Sequence, residues 1–517
     1  MNSILQLVNM KELGAKGDGV TDDSSIFQGA LDMAKQMDGV KIFIPAGDYR
    51  LTKELIIHQN TAILADPKAR MIRDHSNYIL INGYKNSQTE QPPSTYTRYN
   101  GAGHITIEGG VWDGNGTKQS RKASIFHIGH SHDVRIKGAT FKDVSNSHHI
   151  EFNACQNVWV QDCSFLGYVG TDNYNEAIQL DLSKRRVTIL GVDDDTPCRN
   201  VWIENCHFGD SGTPGANHIA RAVGSHTATI GVYHENIHIL NNVVENSFSF
   251  AFRAYAWKNV TISHNQMINC GAGINWRTNM VKDPLDHNTE NTSGVQTGKS
   301  QVVENGTISD NNFSGGMDQG RAIEIYGESS GRAKGISITG NNVTLSPSTS
   351  INDAILLHYA QDCTVTGNRV YGAGKTGISC RNTISVTLSG NVIDTVGDQG
   401  ISVSGSSAHT NLSGNMIKRT GKNGIYVTEA DTCTISGNTT VGVNGERNDS
   451  LYAHLRLTSN VDRIAISGNT CRNYGSSYVA ANALTITSGT NIVRSGNNFA
   501  GFNVSGVSGF VTGADLI

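Results

Sequence analysis

The sequence predicts an all-β chain: a right-handed, single-stranded parallel β-helix, or solenoid, with a short N-terminal capping helix. Three observations carry that prediction. The first is composition. The 517 residues include 57 Gly and only 8 Pro, with 17% charged and 37% apolar residues, both shares below those of an ordinary globular domain. Length alone would suggest about three domains, yet no linker interrupts the chain, and a long chain with a thin core is the profile of a repeat protein. The second is the repeat itself. An apolar-alternating run ending in Gly-Asn or a related pair recurs as Thr-Ile-Ser-His-Asn265, Thr-Ile-Ser-Asp-Asn311, Ser-Ile-Thr-Gly-Asn341, Thr-Val-Thr-Gly-Asn368, Thr-Leu-Ser-Gly-Asn391, Asn-Leu-Ser-Gly-Asn415, Thr-Ile-Ser-Gly-Asn438, Ala-Ile-Ser-Gly-Asn469 and Val-Arg-Ser-Gly-Asn497. Successive spacings from Asn368 to Asn438 are 23, 24 and 23 residues. The third is the interior of each repeat. Strand-length runs of period two, with one face inward, are separated by Gly, Asn and Ser, which supply positive-φ bends. Neither the Leu ladder nor the helical segment of a leucine-rich repeat is present.

Degenerate copies continue upstream as Ile-His-Ile-Leu-Asn241, Val-Trp-Ile-Glu-Asn205, Val-Trp-Val-Gln-Asp162, Val-Arg-Ile-Lys-Gly138 and Ile-Thr-Ile-Glu-Gly109. An Asn repeated at one turn stacks, so Asn368, Asn391, Asn415 and Asn438 are expected inward, each amide bonding backbone or its neighbour. At the N-terminus, Gly14-Ala-Lys-Gly-Asp-Gly-Val-Thr-Asp-Asp23 leads into a run whose Ile26, Phe27, Ala30, Leu31 and Ala34 share one helical face. Thr21 or Asp22 would cap that helix, and Val40-Lys-Ile-Phe-Ile-Pro45 reads as the first strand. A helix placed there covers the open edge of the first coil. The chain therefore divides into a cap with the first strand (1–50), coils with long loops (51–330), and regular coils with a C-terminal cap (331–517). The apolar Gly501–Phe510 segment closes the last coil.

Charge and cysteine usage exclude several function classes. The formal net charge is −4 and no basic block exists, which argues against nucleic-acid binding. No apolar run reaches the about 18 residues of a membrane span. No signal peptide is visible at the first residues. The 9 Cys have no close pair of metal-ligand spacing; Cys155 with Cys163 and Cys198 with Cys206 share a spacing that suits small residues stacked in the core.

The Gly-Ala-Lys-Gly-Asp-Gly-Val-Thr-Asp-Asp23 run, the helix, and the following Ile42-Phe-Ile-Pro-Ala-Gly-Asp-Tyr49 resemble the N-terminal signature of the pectate-lyase-like β-helix superfamily. That group holds polygalacturonase-related glycosidases, phage tailspikes and appendage depolymerases. Gly109-Gly-Val-Trp-Asp-Gly-Asn-Gly116 is similar to a segment of polygalacturonase-like chains. The N-T-D and G-H-G motifs of polygalacturonases and the W-x-D-H cluster of calcium pectate lyases are absent, so pectin activities are not carried over. The resemblance implies a polysaccharide partner, a virion-surface or extracellular location, and a homotrimer.

Aligning one strand per coil by its inward apolar pair gives Ile150-Glu-Phe-Asn153, Ile178-Gln-Leu-Asp181, Ala222-Val-Gly-Ser-His226, Phe252-Arg-Ala-Tyr255, Ile274-Asn-Trp-Arg277, Ile323-Glu-Ile-Tyr326 and Ile355-Leu-Leu-His358. The outward columns are then Glu151, Gln179, Val223, Arg253, Asn275, Glu324 and Asn153, Asp181, Ser225, Tyr255, Arg277, Tyr326, His358. Long insertions at 166–176, 184–198, 209–220 and 278–300 flank this polar face, as loops around a binding groove do. Glycoside hydrolysis needs two carboxylates; Asp181, Glu176 and Glu151 are the catalytic candidates, with Glu176 expected to titrate high under its loop. His226, Arg253, Tyr255, Arg277 and Glu324 are the substrate-binding candidates. The expected function is a depolymerase of a bacterial surface or extracellular polysaccharide, a glycoside hydrolase needing no cofactor or metal. Two alternatives remain, a lyase using Tyr255, His226 and Arg253 on an anionic glycan and a non-cutting receptor-binding spike; the polar ladder with its insertions argues against a purely structural stalk, although the Arg and Tyr residues could also stack merely to stabilise the coil. Asp193-Asp-Asp195 reads as a solvated turn, and His148-His149, pointing to opposite faces, as a weak metal signal.

Overall fold

The computed structural model describes residues 7–82, 96–172, 174–184, 190–281, 286–346, 351–445, 451–505 and 511–512; residues 506–510 of the expected C-terminal closure lie outside this set. The chain forms two units, Met1–Thr261 with Lys282–Gly298, and Ile262–Val281 with Lys299–Ile517. Each is built of right-handed parallel β-helix coils.

A coil carries three short strands. In the first unit one coil runs Ile150–Asn153, Gln156–Gln161 and Ser164–Val169. Left-handed residues turn its two tight corners, Ala154 at φ 54° and Asp162 at φ 56°. Each strand pairs in parallel with its counterpart one coil on, at residues 178–181, 199–204 and 207–209. In the second unit, Ile378–Arg381, Ile384–Ser389 and Val392–Val396 repeat the pattern, with corners at Asn382 (φ 56°) and Gly390 (φ 63°). Only Gly, and at some cost Asn or Asp, takes this conformation readily, which is why the repeat punctuates its strands with those residues. Inward side chains stack coil on coil: Phe141, Phe165 and Phe208 are parallel, 5.2 and 4.9 Å apart.

The asparagine ladder forms in the second unit. Asn265, Asn311, Asn341, Asn368, Asn391, Asn415, Asn438, Asn469 and Asn497 are all buried. From Asn311 on, each Oδ1 accepts both the backbone N–H and the Nδ2 of the preceding member; for Asn391 on Asn368 both distances are 3.0 Å. Each Nδ2 also donates to a carbonyl of the preceding coil, as Asn391 does to Val365 O at 2.9 Å. The upstream copies are shifted by one residue from the reading above. Asn241, Asn205, Asp162, Gly138 and Gly109 occupy the left-handed bend that Gly367 fills downstream. The ladder column itself continues as Asn242, whose Oδ1 accepts Cys206 N at 2.9 Å, and Cys206, whose Sγ donates to Val160 O at 3.6 Å. All nine cysteines are buried and unbridged.

The N-terminal helix, α1, spans Ser24–Met37 and buries Phe27, Ala30, Leu31 and Ala34. Its N-cap residue is Asp23, without a side-chain cap bond; that carboxylate instead accepts Lys16 N and Gly17 N at 2.7 and 3.0 Å. Asp22 accepts the first helical N–H, from Ser24, at 3.0 Å. Phe27 meets the edge of Tyr49 at 5.3 Å, tying the cap to the first coils.

Candidate active-site groove

In the first unit the strands of the predicted face are Phe126–Gly129, Ile150–Asn153, Glu176–Asp181, Arg221–Gly224 and Phe250–Tyr255. The long insertions lie before and after these strands in the chain. The register pairs Glu151 with Gln179 and Asn153 with Asp181, as the inward apolar pairs predicted. His127 extends the first column by pairing with Glu151.

The next coil departs from the predicted register. Val223 pairs with Ile178 and Gly224 with Gln179, so Gly224, not Val223, faces outward, and Ser225 turns inward. Ser225 is fully buried and accepts Trp257 Nε1–H at 2.7 Å. His226 thereby falls beside Asp181.

Glu176 opens its strand and its side chain lies over the bare face of Gly224. Arg221 Nη1 donates to its Oε1 at 3.1 Å, and His226 Nε2 contacts its Oε2. His148 Nδ1 donates to the Glu176 carbonyl at 2.7 Å. Burial would raise the Glu176 carboxyl, but His226, Arg221 and His148 outweigh it and hold the group far below the ordinary carboxylate range. The expected upward shift is thus reversed, because the Arg221 guanidinium and two imidazoles close on the side chain in place of an apolar lid.

Asp181 behaves oppositely. Its Oδ1 accepts His226 N and Thr227 N at 2.9 and 3.1 Å, and its Oδ2 accepts Gln179 Nε2 at 2.7 Å. Burial nonetheless pushes its carboxyl up to about 6, with the charge of Glu176 adding to the shift. Glu151, its side chain 20% exposed, is lowered: burial opposes, while His127, His148 and the Ser124 hydroxyl favour the anion. Ser124 Oγ donates to Glu151 Oε2 at 3.1 Å, and His127 Nε2 lies 3.4 Å from Oε1.

Among the described residues, four buried polar atoms of this floor have no hydrogen bond: Glu176 Oε2, which His226 contacts as an ion pair, Arg221 Nε, His127 Nδ1 and Gln179 Oε1. Unpaired buried polar atoms are rare and mark places where a ligand or water completes the set. His148, Glu176 and His226 offer ligand atoms within 4.8 Å of one another; Arg221 and His226 already engage the carboxylate.

Arg253 donates to Ser225 O at 2.6 Å, its guanidinium 4.5 Å from the centre of the Tyr255 ring. Tyr255 lies on the face it shares with Arg253 but is fully buried there, packed with Ala228 and Ala256, which takes it out of reach of a substrate. Arg277 and Glu324 belong to the second unit. There Arg277 stacks on Tyr326 at 4.9 Å, and Glu324 accepts Arg321 and Asn275 at 2.5 and 2.6 Å. Sequence reasoning missed His127 and Arg221, and weighed His148 only as a weak metal signal. His127 stands in the same column as Glu151 and was legible by register. Arg221 and His148 sit where strands begin, outside the four-residue windows used for alignment. His149 does point away from His148, packing edge-on to Phe165 at 5.9 Å.

Gly224 has a testable consequence. A Cβ there would lie 3.0 Å from Glu176 Oε1 and 2.9 Å from Arg253 O. Gly224→Ala is expected to displace the Glu176 carboxylate, cost about 1–3 kcal/mol of stability by overpacking, and weaken function more than stability. Paired melting and glycan-binding measurements check it.

Comparison with known proteins places this architecture. A model described as right-handed beta helix region matches residues 285–440. The plasmin and fibronectin-binding protein A of Streptococcus pneumoniae is 27% identical over 400 residues, 72% of this chain and 54% of that protein; the chain thus spans about half the length of that curated relative. The solved structure of the S. pneumoniae surface protein and adhesin PfbA superposes with a TM-score of 0.65 at 24% identity, over 77% of this chain and 100% of that one. A tailspike protein of E. coli bacteriophage HK620 gives 0.51 at 14% identity, over 94% and 80%. With the model described as rhamnogalacturonase A/epimerase, pectate lyase-like matching residues 7–280, more than half its length, the chain belongs to that family.

Proposed function

We propose that the first-unit groove binds a surface or extracellular polysaccharide and cleaves it by acid–base hydrolysis, with Asp181 as proton donor and Glu151 as the ionised partner. The carrying observation is a pair of carboxylates at outward positions of adjacent strands whose surroundings push their titrations apart, Asp181 up and Glu151 down. Such a split is how one site keeps an acid and a base at the same pH. Neighbouring strands and a two-residue offset put their backbones about 8 Å apart, and side-chain reach lets such a pair serve either an inverting or a retaining mechanism. Glu176 is a positioning residue in this reading. It is fully buried, and it holds the ring of His226, whose backbone N–H binds Asp181.

The test is incubation with a panel of bacterial surface glycans. Reducing ends without unsaturated, ultraviolet-absorbing ends signal hydrolysis. The pH profile is expected to be bell-shaped. Activity rises as Glu151 ionises, below the ordinary carboxylate range, and falls as Asp181 loses its proton near pH 6. A rate that keeps rising above neutrality would remove Asp181 as the acid. Elimination is the weaker reading, because Tyr255 has no exposure to substrate.

Binding without cleavage is the second reading, favoured by similarity to a plasmin and fibronectin-binding surface protein. A chain that holds the same glycan with and without the Asp181 carboxyl, and never releases reducing ends, would establish it. Both readings place the protein at a cell or virion surface.

A further inference from the structure

We propose that the rim of this groove before the Glu176 strand is a stacking subsite for an uncharged pyranose, with Tyr174 as its platform. The proposal rests on the reading of the groove as a glycan site, and it adds the substrate class.

Tyr174 is 62% exposed, yet it is held. Its N–H donates to Asp172 Oδ1 at 2.8 Å. Arg221 Nη1 donates to its carbonyl at 3.3 Å, and the Arg221 guanidinium lies 5.4 Å from the ring centre. The next residue, Asn175, is buried and donates from Nδ2 to the Tyr168 hydroxyl at 2.8 Å. Arg221 in turn rests against Phe250 at 6.0 Å and binds Glu176. An aromatic ring with one face fixed on a buried cation and the rest of its surface in water is a preformed apolar plate. It loses little entropy when a ligand covers it. Two coils further on, Phe248 is 41% exposed beside His218 of the intervening coil at 6.3 Å, so the same rim offers a second aromatic surface. The C–H face of a pyranose is the ligand surface that matches such a plate, while its hydroxyls suit the unpaired His127 Nδ1 and Gln179 Oε1 of the floor.

Charge selects the class. Recognition of a uronate or phosphate calls for a cation able to pair with it bidentately. Arg221 is bound to Glu176 and to Tyr174 O. Arg253 is bound to Ser225 O and lies over Tyr255. Against them the floor sets the carboxylates of Glu151, Glu176 and Asp181. An anionic sugar at this point would meet like charge. The exposed Lys118, Arg121 and Lys122 lie on the loop leading to the Phe126–Gly129 strand, two coils earlier than the Glu176–Asp181 strand.

The test uses the full chain carrying Asp181→Asn, so that binding is read without turnover, and titrates a panel of neutral bacterial surface oligosaccharides and polygalacturonate. At least one neutral glycan is expected to bind, and polygalacturonate to bind more weakly than it. Tyr174→Ala should weaken the neutral ligand about tenfold, with Tyr174→Phe within about twofold of the parent. The proposal is overturned if no neutral glycan binds, if Tyr174→Ala binds as well as the parent, or if polygalacturonate binds most tightly and loses affinity on Lys118→Ala and Arg121→Ala. If stacking holds but the unsubstituted chain releases no reducing ends, the hydrolytic reading fails and the subsite stands.

Discussion

Asp181→Asn is expected to lower glycan cleavage by about 10²–10⁴-fold, the usual contribution of a general acid, with little change in stability. The stability half of this expectation follows from the hydrogen bonds. An Asn in place of Asp181 keeps an oxygen for the N–H groups of His226 and Thr227, now at 2.9 and 3.1 Å. Its new amide would face Gln179 Nε2, which now donates to Asp181 Oδ2 at 2.7 Å. Rotation of the Gln179 amide resolves that conflict, because its Oε1 has no partner among the described residues and can accept the new N–H. The substitution also leaves no buried group whose charge must be compensated. Initial rates by reducing-end assay, beside thermal melting of the same preparations, test both halves. A variant that cuts at the parental rate would remove Asp181 from the chemistry.

Asn391→Ala is expected to be strongly destabilising for a turn substitution in the second unit, by about 2–6 kcal/mol. The Asn391 side chain makes four hydrogen bonds. Its Oδ1 accepts Asn368 N and Nδ2, both at 3.0 Å, and its Nδ2 donates to Val365 O and Asn415 Oδ1, both at 2.9 Å. Alanine removes all four. Asn368 Nδ2 keeps Ile338 O at 2.9 Å, and Asn415 Oδ1 keeps the backbone N–H of residue 391 at 3.1 Å. The Asn368 N–H and the Val365 carbonyl lose these ladder partners, at about 1–3 kcal/mol for each group left unsatisfied. Denaturant unfolding gives the number directly. A loss under about 0.5 kcal/mol, the range of ordinary surface changes, would mean the ladder does not carry the stability assigned to it.

How much of this was legible beforehand depended on how local each feature is. The repeat, the inward asparagines and the facing of Glu151 with Gln179 and Asn153 with Asp181 follow from period-two alternation within a few residues. The chain therefore declares them. The coil of Ala222–His226 gave a false register. Its inward residues are Val223 and the polar Ser225, not an apolar pair, and the outward Gly224 between them has no side chain to reveal the frame. The ladder slip upstream has the same origin: Asn-Asn at 241–242 reads equally well in two frames, and only the bond from Cys206 to Asn242 separates them.

By itself, then, the sequence determined the parallel β-helix, its capping helix and the polar face that bears Glu151 and Asp181, because inward apolar residues and positive-φ corners are properties of short segments. Only the tertiary structure decided how that face works. Glu176 titrates low because Arg221 and His226, from the next coil, close on it. Asp181 titrates high because burial takes its carboxyl out of water, and Tyr255 is withdrawn from substrate because Ala228 and Ala256 pack against its ring. A carboxylate's charge and a tyrosine's exposure are set by neighbours one coil away in space, and one coil here is 21 to 49 residues of chain, beyond what any local pattern records.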